Sequence, residues 1–505
     1  MDKKKYDGPV MLIVLDGWGY RADEKNNAIA EANTPYFDLL WQKYPHTLLK
    51  ASGLAVGVPE GQMGNSEVGH TTIGAGRPID SDLVRISKAI SAGELGKNPS
   101  IIKLFEHVNK NDSTLHAMGL IGSGGVHAYS EHLFAFMRAA KDAGVKKLAI
   151  HVFTDGRDTP PQSACGFIKE LEEEIKKDSI GKIASVSGRF YAMDRDNNWD
   201  REKKAEDAIF EGKGDVCNID PSDYVSELYK QGKMDEHLVP FICVGEDKKP
   251  TIVEKNDGIF FFNFRADRTR MLSQKIIERT KDKNVCFVTM TEYNPEFKCL
   301  VAFPPLTIET TLAAEIAKAG MTQCHIAETE KFPHATYFLN GRVEKPHAGE
   351  IHELVPSRKD VPTHDLAPEM MAEAIADKAI EFIEENVDFI FINFANADMV
   401  GHTANVPAII TAVEVVDTQL GRVISSLQAK GGIAFITADH GNAEVNIDPE
   451  TGEKHTSHTT NPVPAIITEK GYEMRDGGGL SDVAPTILVL MDLPKPSTMT
   501  GNSLL

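Results

Sequence analysis

Residues 10–19 read VMLIVLDGWG, six apolar residues followed at once by an aspartate and a glycine. A short apolar run that ends at a turn former is typical of a strand buried in a parallel sheet. In open α/β sheets, ligands bind beyond the carboxyl ends of the strands. Val10–Leu15 is therefore predicted to be a core strand, and Asp16 is expected at a ligand-binding edge.

Similar apolar runs recur along the chain and alternate with helix-like segments, which predicts a parallel-rich α/β fold. The other predicted strands are Leu148–Phe153, Ile183–Val186, Ile259–Phe262, Phe389–Phe394 and Ile433–Thr437. The predicted helices are Ile101–Val108, Leu133–Ala143, Gln162–Lys177, Met371–Asn386 and Pro407–Lys430. At 505 residues the chain is too long for one hydrophobic core, so at least two domains are expected.

Aspartates and histidines from both ends of the sequence fall just past predicted strands or in loops. Asp398 and His402 are four residues apart and would project from one face of a helical turn. A mixed set of this kind suits Mn, Zn or Fe better than Mg or Ca. Taken singly, each residue could equally be a cap or a hydrogen-bonded strand-end group. The predicted metal ligands of this pattern are Asp16, Asp398, His402, Asp439, His440 and His458.

The middle of the sequence instead places arginines after its strands or in loops. Guanidinium groups match carboxylate and phosphate oxygens, so the repeated placement predicts a pocket for a small, doubly anionic substrate. Surface ion pairing is the alternative for any single arginine. His127 and Asp158 accompany the set as candidate proton carriers. The arginines are Arg157, Arg189, Arg195, Arg265 and Arg268.

The loop PEGQMGNSEVGH, residues 59–70, surrounds Ser66 with glycines. Glycines let the backbone approach an anion closely, and a helix that starts after Asn65 would aim free N–H groups at it. A neighbouring metal can lower the pKa of a hydroxyl, which makes Ser66 the predicted nucleophile. The alternative is that Ser66 only caps the helix.

Composition excludes several classes of partner. The net charge of -20 and a pI near 5.3 disfavour nucleic acids and anionic membranes. The six cysteines form no CxxC pair, and no apolar run approaches the ~20 residues that a membrane span needs. A cytoplasmic protein with a small-molecule substrate is expected, with no nucleic-acid or membrane partner.

The motifs together resemble the cofactor-independent phosphoglycerate mutases, a family of the alkaline phosphatase-like superfamily. The resemblance extends in order over nearly the whole chain. The matching segments are VLDGWG, EGQMGNSEVGHTTIGAGR, HVFTDGRDTPP, SVSGRFYAMDRDNNWDR, FFNFRADR, AETEKFPHATYF, NFANADMVGHT, ITADHGN and HTTNPVP.

This resemblance implies a role for each matching residue. One divalent ion would be held by Asp16, Ser66, Asp439 and His440, and the other by Asp398, His402 and His458. Mn²⁺ is the favoured metal, with Mg²⁺, Co²⁺ and Zn²⁺ as alternatives. The implied substrate-binding residues are His127, Arg157, Asp158, Arg189, Arg195, Arg265, Arg268 and Lys331.

The resemblance also implies a fold and a reaction. Residues 1–80 and 307–505 would form an alkaline phosphatase-like metal domain, and 81–306 an inserted α/β substrate domain, in a monomer. The expected reaction interconverts 3-phosphoglycerate and 2-phosphoglycerate in glycolysis and gluconeogenesis without 2,3-bisphosphoglycerate. Ser66 would carry the phosphoryl group, Lys331 would neutralise charge, and Asp158 would deprotonate the accepting hydroxyl.

Two rival functions and two departures accompany this interpretation. The nearest rival is a hydrolase or phosphopentomutase of the same superfamily. A phosphopentomutase would be expected to use threonine as its nucleophile and to lack the SGRFYAMDRD segment. An inactive binding protein should have lost Ser66 or a metal ligand, and all are present. Ala397 stands where the family pattern predicts proline, and Arg342 where it predicts glycine.

Overall fold

The computed structural model describes residues 8–245, 248–448 and 451–505. The chain divides into two compact units, unit 1 (Met1–Ser81 with Thr307–Leu505) and unit 2 (Asp82–Leu306). The sequence-based limits of 80 and 306 differ from this division by one residue at the first crossing, and residues 1–7 lie outside the described part. The assignment of metal and substrate roles to the two units stays a prediction.

Short strands and helices alternate through both units. The strands are β1 Val10–Leu15, β2 His46–Leu49, β3 Leu115–Leu120, β4 Leu148–Thr154, β5 Lys182–Gly188, β6 Asp215–Cys217, β7 Phe241–Cys243, β8 Gly258–Phe261, β9 Cys286–Thr291, β10 Leu300–Phe303, β11 Gln323–Glu328, β12 Glu350–Val355, β13 Phe389–Phe394, β14 Ile433–Thr437 and β15 Val463–Ile467. The helices are α1 Ala28–Glu31, α2 Pro35–Lys43, α3 Ser66–Ala75, α4 Asp82–Ser91, α5 Pro99–Asn111, α6 Ser130–Asp142, α7 Ala164–Asp178, α8 Arg189–Ala192, α9 Trp199–Glu211, α10 Pro221–Lys230, α11 Arg270–Thr280, α12 Leu312–Lys318, α13 Ala372–Glu384, α14 Asn396–Gly401, α15 Val406–Ala429 and α16 Val483–Leu490.

The sheet of unit 1 is centred on β1. Its strand order is β12-β11-β13-β1-β14-β15-β2, and the first five strands run parallel. The strands β15 and β2 are antiparallel additions at one edge. Every residue of β1, β13 and β14 is buried, as expected for strands covered by helices on both faces.

The sheet of unit 2 has the order β10-β9-β8-β3-β4-β5-β7-β6 and is parallel apart from the β5–β7 pair. Each unit has its own apolar core: one is built around β1 and β13, the other around β3, β4 and β8. The predicted α/β class with two parallel-rich sheets is confirmed, as are the six predicted strands, within one or two residues at each end. Among the described residues, no helix combines the length and apolarity that crossing a bilayer requires.

The two departures from the family pattern are accommodated locally. Arg342 is exposed and has a φ of 71°, the left-handed conformation that glycine adopts most easily. A non-glycine residue pays roughly 1–2 kcal/mol for this conformation. Ala397 is buried in α14, and the helical turn that carries Asp398 forms with alanine at this position.

Candidate active site

Three aspartates follow the adjacent parallel strands β1, β13 and β14 in unit 1. Because these strands end at one edge of the sheet, Asp16, Asp398 and Asp439 converge there, and each is at most 2% exposed. The ammonium of Lys331 joins them, with Nζ 2.7 Å from Asp16 Oδ1 and 2.6 Å from Asp398 Oδ2. The backbone N–H of Gly17 donates to Asp439 Oδ1 at 3.3 Å. The predicted strand-end arrangement is thus the observed one.

Ser66 is the first residue of α3 and points into this group. The side chain of Asn65 caps the helix by accepting from the N–H of Val68, so capping is not the role of Ser66. Ser66 Oγ lies 2.7 Å from Lys331 Nζ, 3.0 Å from His440 Nε2 and 3.4 Å from Asp16 Oδ1. The hydroxyl is therefore held by an ammonium and faces two acceptors.

Gly69 allows α3 to lie this close to the strand ends. A Cβ at this position would come within 2.7 Å of the backbone oxygen of Asp439. Any larger residue would push the N-terminal turn of α3, and Ser66 with it, away from the aspartates.

His402 and His458 lie beside Oδ1 of Asp398, whereas Lys331 contacts Oδ2. Their Nε2 atoms lie 3.3 and 3.2 Å from Asp398 Oδ1 and 3.2 Å from each other. The Nδ1 atoms face the carbonyl oxygens of Thr456 and Gly64 at 2.8 and 2.9 Å. Since a carbonyl only accepts, each Nδ1 must carry the proton. Both imidazoles therefore present Nε2 to the carboxylate, the orientation typical of metal-ligating histidines.

The charges of this group fit two divalent cations. Among the described residues, Lys331 is the buried lysine that pairs with Asp16 and Asp398, and Asp439 Oδ2 has no hydrogen-bond partner. Burial and the neighbouring Asp439 raise the pKa of Asp16. Such an excess of buried negative charge is costly unless cations bind. The candidate ligands form two sets, and within each set one ligand atom per residue lies within 4.8 Å of the others. The sets are Asp16, Asp439 and His440, and Asp398, His402 and His458.

In unit 2, Arg189 is the centre of a second polar group. Its Nη1 lies 2.5 Å from Asp155 Oδ1 and 2.7 Å from Asp158 Oδ2, and its Nη2 donates to His127 Nε2 at 2.9 Å. Burial and the charge of Arg189 lower the pKa of His127 to about 4. His127 is therefore neutral at pH 7, with its proton on Nδ1, which lies 3.8 Å from Asp267 Oδ1.

The remaining arginines surround this group. Arg195 and Arg265 contact the carboxylate of Asp267 at 3.0 and 3.1 Å. Burial and the positive charges of Arg189, Arg195 and Arg157 lower the pKa of Arg268. Arg157 pairs with Glu236 at 2.6 Å. An anionic molecule would relieve the mutual repulsion of these cations.

Lys331 and the other predicted substrate-binding residues belong to different units of the chain. Lys331 lies in unit 1 with the aspartates, whereas the arginines, His127 and Asp158 lie in unit 2. The roles of all these residues stay predictions, because geometry alone does not show a bound metal or substrate.

The sequence interpretation missed several supporting residues. Asn393 Nδ2 lies 2.8 Å from Asp16 Oδ2 and 3.0 Å from His70 Nε2, while His70 Nδ1 lies 3.2 Å from Asp439 Oδ2. The buried Glu444 accepts from Asn442 N–H and from Thr459, which joins the loops that follow His440 and His458. Asn393, the single polar residue of the otherwise apolar β13, was the feature of the sequence that could have indicated these supporting residues.

Comparisons with known proteins define the class. A family model described as the Metalloenzyme superfamily matches residues 8–495, nearly the whole chain. The chain is thus a member of a superfamily of metalloenzymes, and its groups of candidate ligands support divalent metal ions.

Individual relatives narrow this class. The chain is 48% identical over 509 residues to the 2,3-bisphosphoglycerate-independent phosphoglycerate mutase of Clostridioides difficile (strain 630), covering 98% of this chain and 99% of that protein. It is 47% identical over 507 residues to the 2,3-bisphosphoglycerate-independent phosphoglycerate mutase 2 of Methanosarcina acetivorans, with 98% and 97% covered. A crystal structure of Leishmania mexicana phosphoglycerate mutase at low cobalt concentration superposes with a TM-score of 0.62 at 29% identity, covering 100% of this chain and 98% of that one. The chain belongs to the 2,3-bisphosphoglycerate-independent phosphoglycerate mutases, which are isomerases.

Proposed function

We propose that the chain interconverts 3-phosphoglycerate and 2-phosphoglycerate through a phosphoserine on Ser66. The observation that carries this proposal is the position of Ser66 Oγ, 2.7 Å from a buried ammonium and 3.0 Å from His440 Nε2. A buried hydroxyl with a cation on one side and proton acceptors on the other is arranged as a nucleophile.

The residues that would hold the two divalent ions are Asp16, Ser66, Asp439 and His440 for one, and Asp398, His402 and His458 for the other. When bound, the ions lower the pKa of the serine hydroxyl and neutralise phosphoryl charge. Mn²⁺ is the metal proposed from the resemblance to the mutase family, with Mg²⁺, Co²⁺ and Zn²⁺ as alternatives. The proposed enzyme is a cytoplasmic monomer.

The first transfer forms the phosphoserine. Ser66 Oγ attacks phosphorus in line as the bond from phosphorus to the glycerate oxygen breaks. The hydroxyl proton is released to solvent, since His440 and Asp16 beside the hydroxyl are among the residues that would hold the ion. Lys331 donates an N–H to Oγ throughout and offsets the charge that develops on the phosphoryl oxygens.

The second transfer returns the phosphoryl group to the other glycerate hydroxyl. In the first transfer the leaving oxygen takes a proton from solvent. In the second, the carboxylate of Asp158 takes the proton of the accepting hydroxyl and passes it to solvent, so the proton count is unchanged. Arg189 Nη1 lies 2.7 Å from Asp158 Oδ2 and fixes the position of the carboxylate. The neutral His127 and the surrounding arginines bind the glycerate between the transfers. Two in-line displacements leave the configuration at phosphorus retained.

Ser66→Ala tests the proposal, with Ser425→Ala on the exposed face of α15 as the matched control. The variants are assayed with 3-phosphoglycerate in the absence of 2,3-bisphosphoglycerate, and rapidly quenched samples are examined by peptide mass spectrometry. We expect the phosphorylated peptide that contains residue 66 in the wild type and the control, and neither phosphopeptide nor turnover in Ser66→Ala. Turnover by Ser66→Ala near the wild-type rate would overturn the phosphoserine route.

A further inference from the structure

A second group of histidines lies in unit 1 on residues that the proposed reaction does not use. His325 on β11 and His352 on β12 are paired directly in the parallel register, and Glu350 is two residues before His352. Side chains two apart on a strand share a face, so all three project from the same side of the sheet. We call these three residues the His325 cluster.

The geometry points to a third metal site: we propose that the His325 cluster binds a divalent transition-metal ion, Zn²⁺ by its ligand chemistry. One ligand atom from each of His325, Glu350 and His352 lies within 4.8 Å of the other two. Among the described residues, the groups of this geometry are the His325 cluster and the two sets at the strand ends of β1, β13 and β14. Two imidazoles and a carboxylate form a known Zn²⁺ ligand set.

Burial and tautomer prepare the cluster for a metal. The side chains of His325 and Glu350 are fully buried, and that of His352 is 11% exposed. His325 Nδ1 donates to the carbonyl oxygen of Ala335 at 2.9 Å, which leaves a lone pair on Nε2. This Nε2 has no hydrogen-bond partner in the described part of the chain. A buried acceptor without a partner is costly, and a bound cation would satisfy it.

A fourth imidazole borders the cluster. The backbone N–H of His347 donates to Glu350 Oε2 at 2.6 Å, and His347 Nε2 is buried without a hydrogen-bond partner among the described residues. Asn340 Nδ2 donates to Glu350 Oε1 at 2.7 Å and fixes the carboxylate. The backbone of His347 and the side chain of Asn340 thus hold the Glu350 carboxylate in place.

Metal binding requires only a small adjustment. In the metal-free cluster, His352 Nε2 donates to Glu350 Oε1 at 2.7 Å. Two ligands at 2.0–2.1 Å from a tetrahedral ion are about 3.3 Å apart, so this pair must separate by roughly 0.6 Å. His352 releases its Nε2 proton to solvent as the metal bond forms.

A purely hydrogen-bonded network around Glu350 is the competing interpretation. It accounts for the carboxylate, which accepts from Asn340, His347 and His352. It leaves His325 Nε2 without a partner in the described part of the chain, while Nδ1 of the same ring lies 3.4 Å from Glu350 Oε1. A bound ion would also tie the edge strand β12 to β11.

Metal content tests the proposal directly. The full-length enzyme is stripped with a chelator, loaded with excess Zn²⁺, passed through a desalting column and measured by inductively coupled plasma mass spectrometry. We expect three ions per chain in the wild type and in the control His46→Ala, whose histidine is exposed on β2. We expect two in His325→Gln and in His352→Gln, the second of which alters the cluster at its partly exposed side. The same number of ions in the wild type and in the folded variants would overturn the site.

Diffraction supplies a test that needs no variant. Zn²⁺-loaded wild-type crystals are measured on both sides of the zinc absorption edge. An anomalous peak bounded by His325, Glu350 and His352 is the expected result. Peaks confined to the carboxyl ends of β1, β13 and β14 would overturn the third site while leaving the proposed reaction intact.

Discussion

The ammonium of Lys331 lies 2.7 Å from Ser66 Oγ, buried beside the carboxylates of Asp16 and Asp398. Burial alone would lower the pKa of Lys331, but the two carboxylates outweigh it and hold the pKa well above its usual value. The side chain is therefore always charged and can only donate. In the proposed reaction, Lys331 acts on the phosphoryl transfer through its charge and does not remove the proton of Ser66.

Lys331→Met is expected to lower kcat by about 10²–10³, the usual cost of losing one charged donor to a transition state. The KM for 3-phosphoglycerate should change little, because the arginines of unit 2 bind the glycerate. Steady-state kinetics at saturating Mn²⁺ measure both constants. Lys318→Met removes an exposed lysine of unit 1 that pairs with Glu315, and it should retain wild-type kinetics. A kcat within a few-fold of wild type would contradict the role of Lys331.

Arg189→Lys is expected to raise KM about tenfold or more and to lower kcat. A lysine is a single point charge and cannot contact Asp155, Asp158 and His127 together as the guanidinium does. The exposed Arg138, which pairs with Glu174, provides the matched control Arg138→Lys. Equal kinetics in both variants would show that the polar group around Arg189 does not bind substrate.

Mild acid should remove metal from the enzyme. Hydrogen bonding to Asp398 raises the pKa of His402, so its ring protonates at a pH above the ordinary 6.5. Metal needs the neutral ring, and protons therefore begin to compete as pH falls through neutrality. Activity at limiting Mn²⁺ should decline as pH is lowered from 8 to 6, and excess Mn²⁺ should move the midpoint to lower pH. A midpoint that is independent of Mn²⁺ would assign the loss to another group.

The stability of the fold should depend on pH in the opposite direction to the activity, because of the buried carboxyl of Glu328. Its carboxyl is buried, and burial raises its pKa to about 7 although Ser357 donates to it at 2.8 Å. Between pH 4.5 and 7 the folded state binds more protons than the unfolded state, so the free energy of unfolding falls as pH rises. Glu328→Gln should remove this slope and stabilise the protein by up to about 3 kcal/mol above pH 7.

Urea unfolding of the metal-free protein from pH 4.5 to 8 measures the effect of Glu328→Gln. Glu381→Gln, whose side chain is 60% exposed beside Lys378, should leave the slope unchanged. Parallel curves for the wild type and Glu328→Gln would show that the buried carboxyl does not control this dependence.

Isotope exchange separates a mutase from a phosphatase. With unlabelled 3-phosphoglycerate and excess labelled glycerate, little label should enter 2-phosphoglycerate, because the arginines retain glycerate between the two transfers. Inorganic phosphate should stay near background. Label at the ratio of the bulk glycerate would indicate free exchange, and phosphate released at the turnover rate would indicate a phosphatase.

The strands that carry the aspartates could be predicted from sequence because they are buried on both faces. Val10–Leu15 and Phe389–Phe394 read as unbroken apolar runs, and their bounds were predicted to the residue. The edge strand β12, EIHELV, carries exposed and buried residues in no simple alternation and gave no such signal.

The sequence predicted which residues are candidate ligands better than it predicted which side chains contact one another. Lys331 follows β11 in a polar segment, and nothing local indicates that its ammonium reaches Asp16, 315 residues away. His325 and Glu350 come together through the register of two strands, which a single sequence does not specify. The residues at strand ends could be predicted from the sequence. Which distant side chains contact one another could be seen only in the structure.

The position of β1 has a consequence for synthesis of the chain. Its two neighbours, β13 and β14, begin at Phe389 and Ile433, so the first strand made waits for most of the polypeptide before it can pair. The strands of unit 2 all come from the continuous stretch 82–306 and can assemble earlier on the ribosome. During that interval VMLIVL is an unpaired, uncharged apolar segment, the kind that aggregates or recruits chaperones. Translation speed beyond residue 306 is therefore expected to govern the yield of native enzyme.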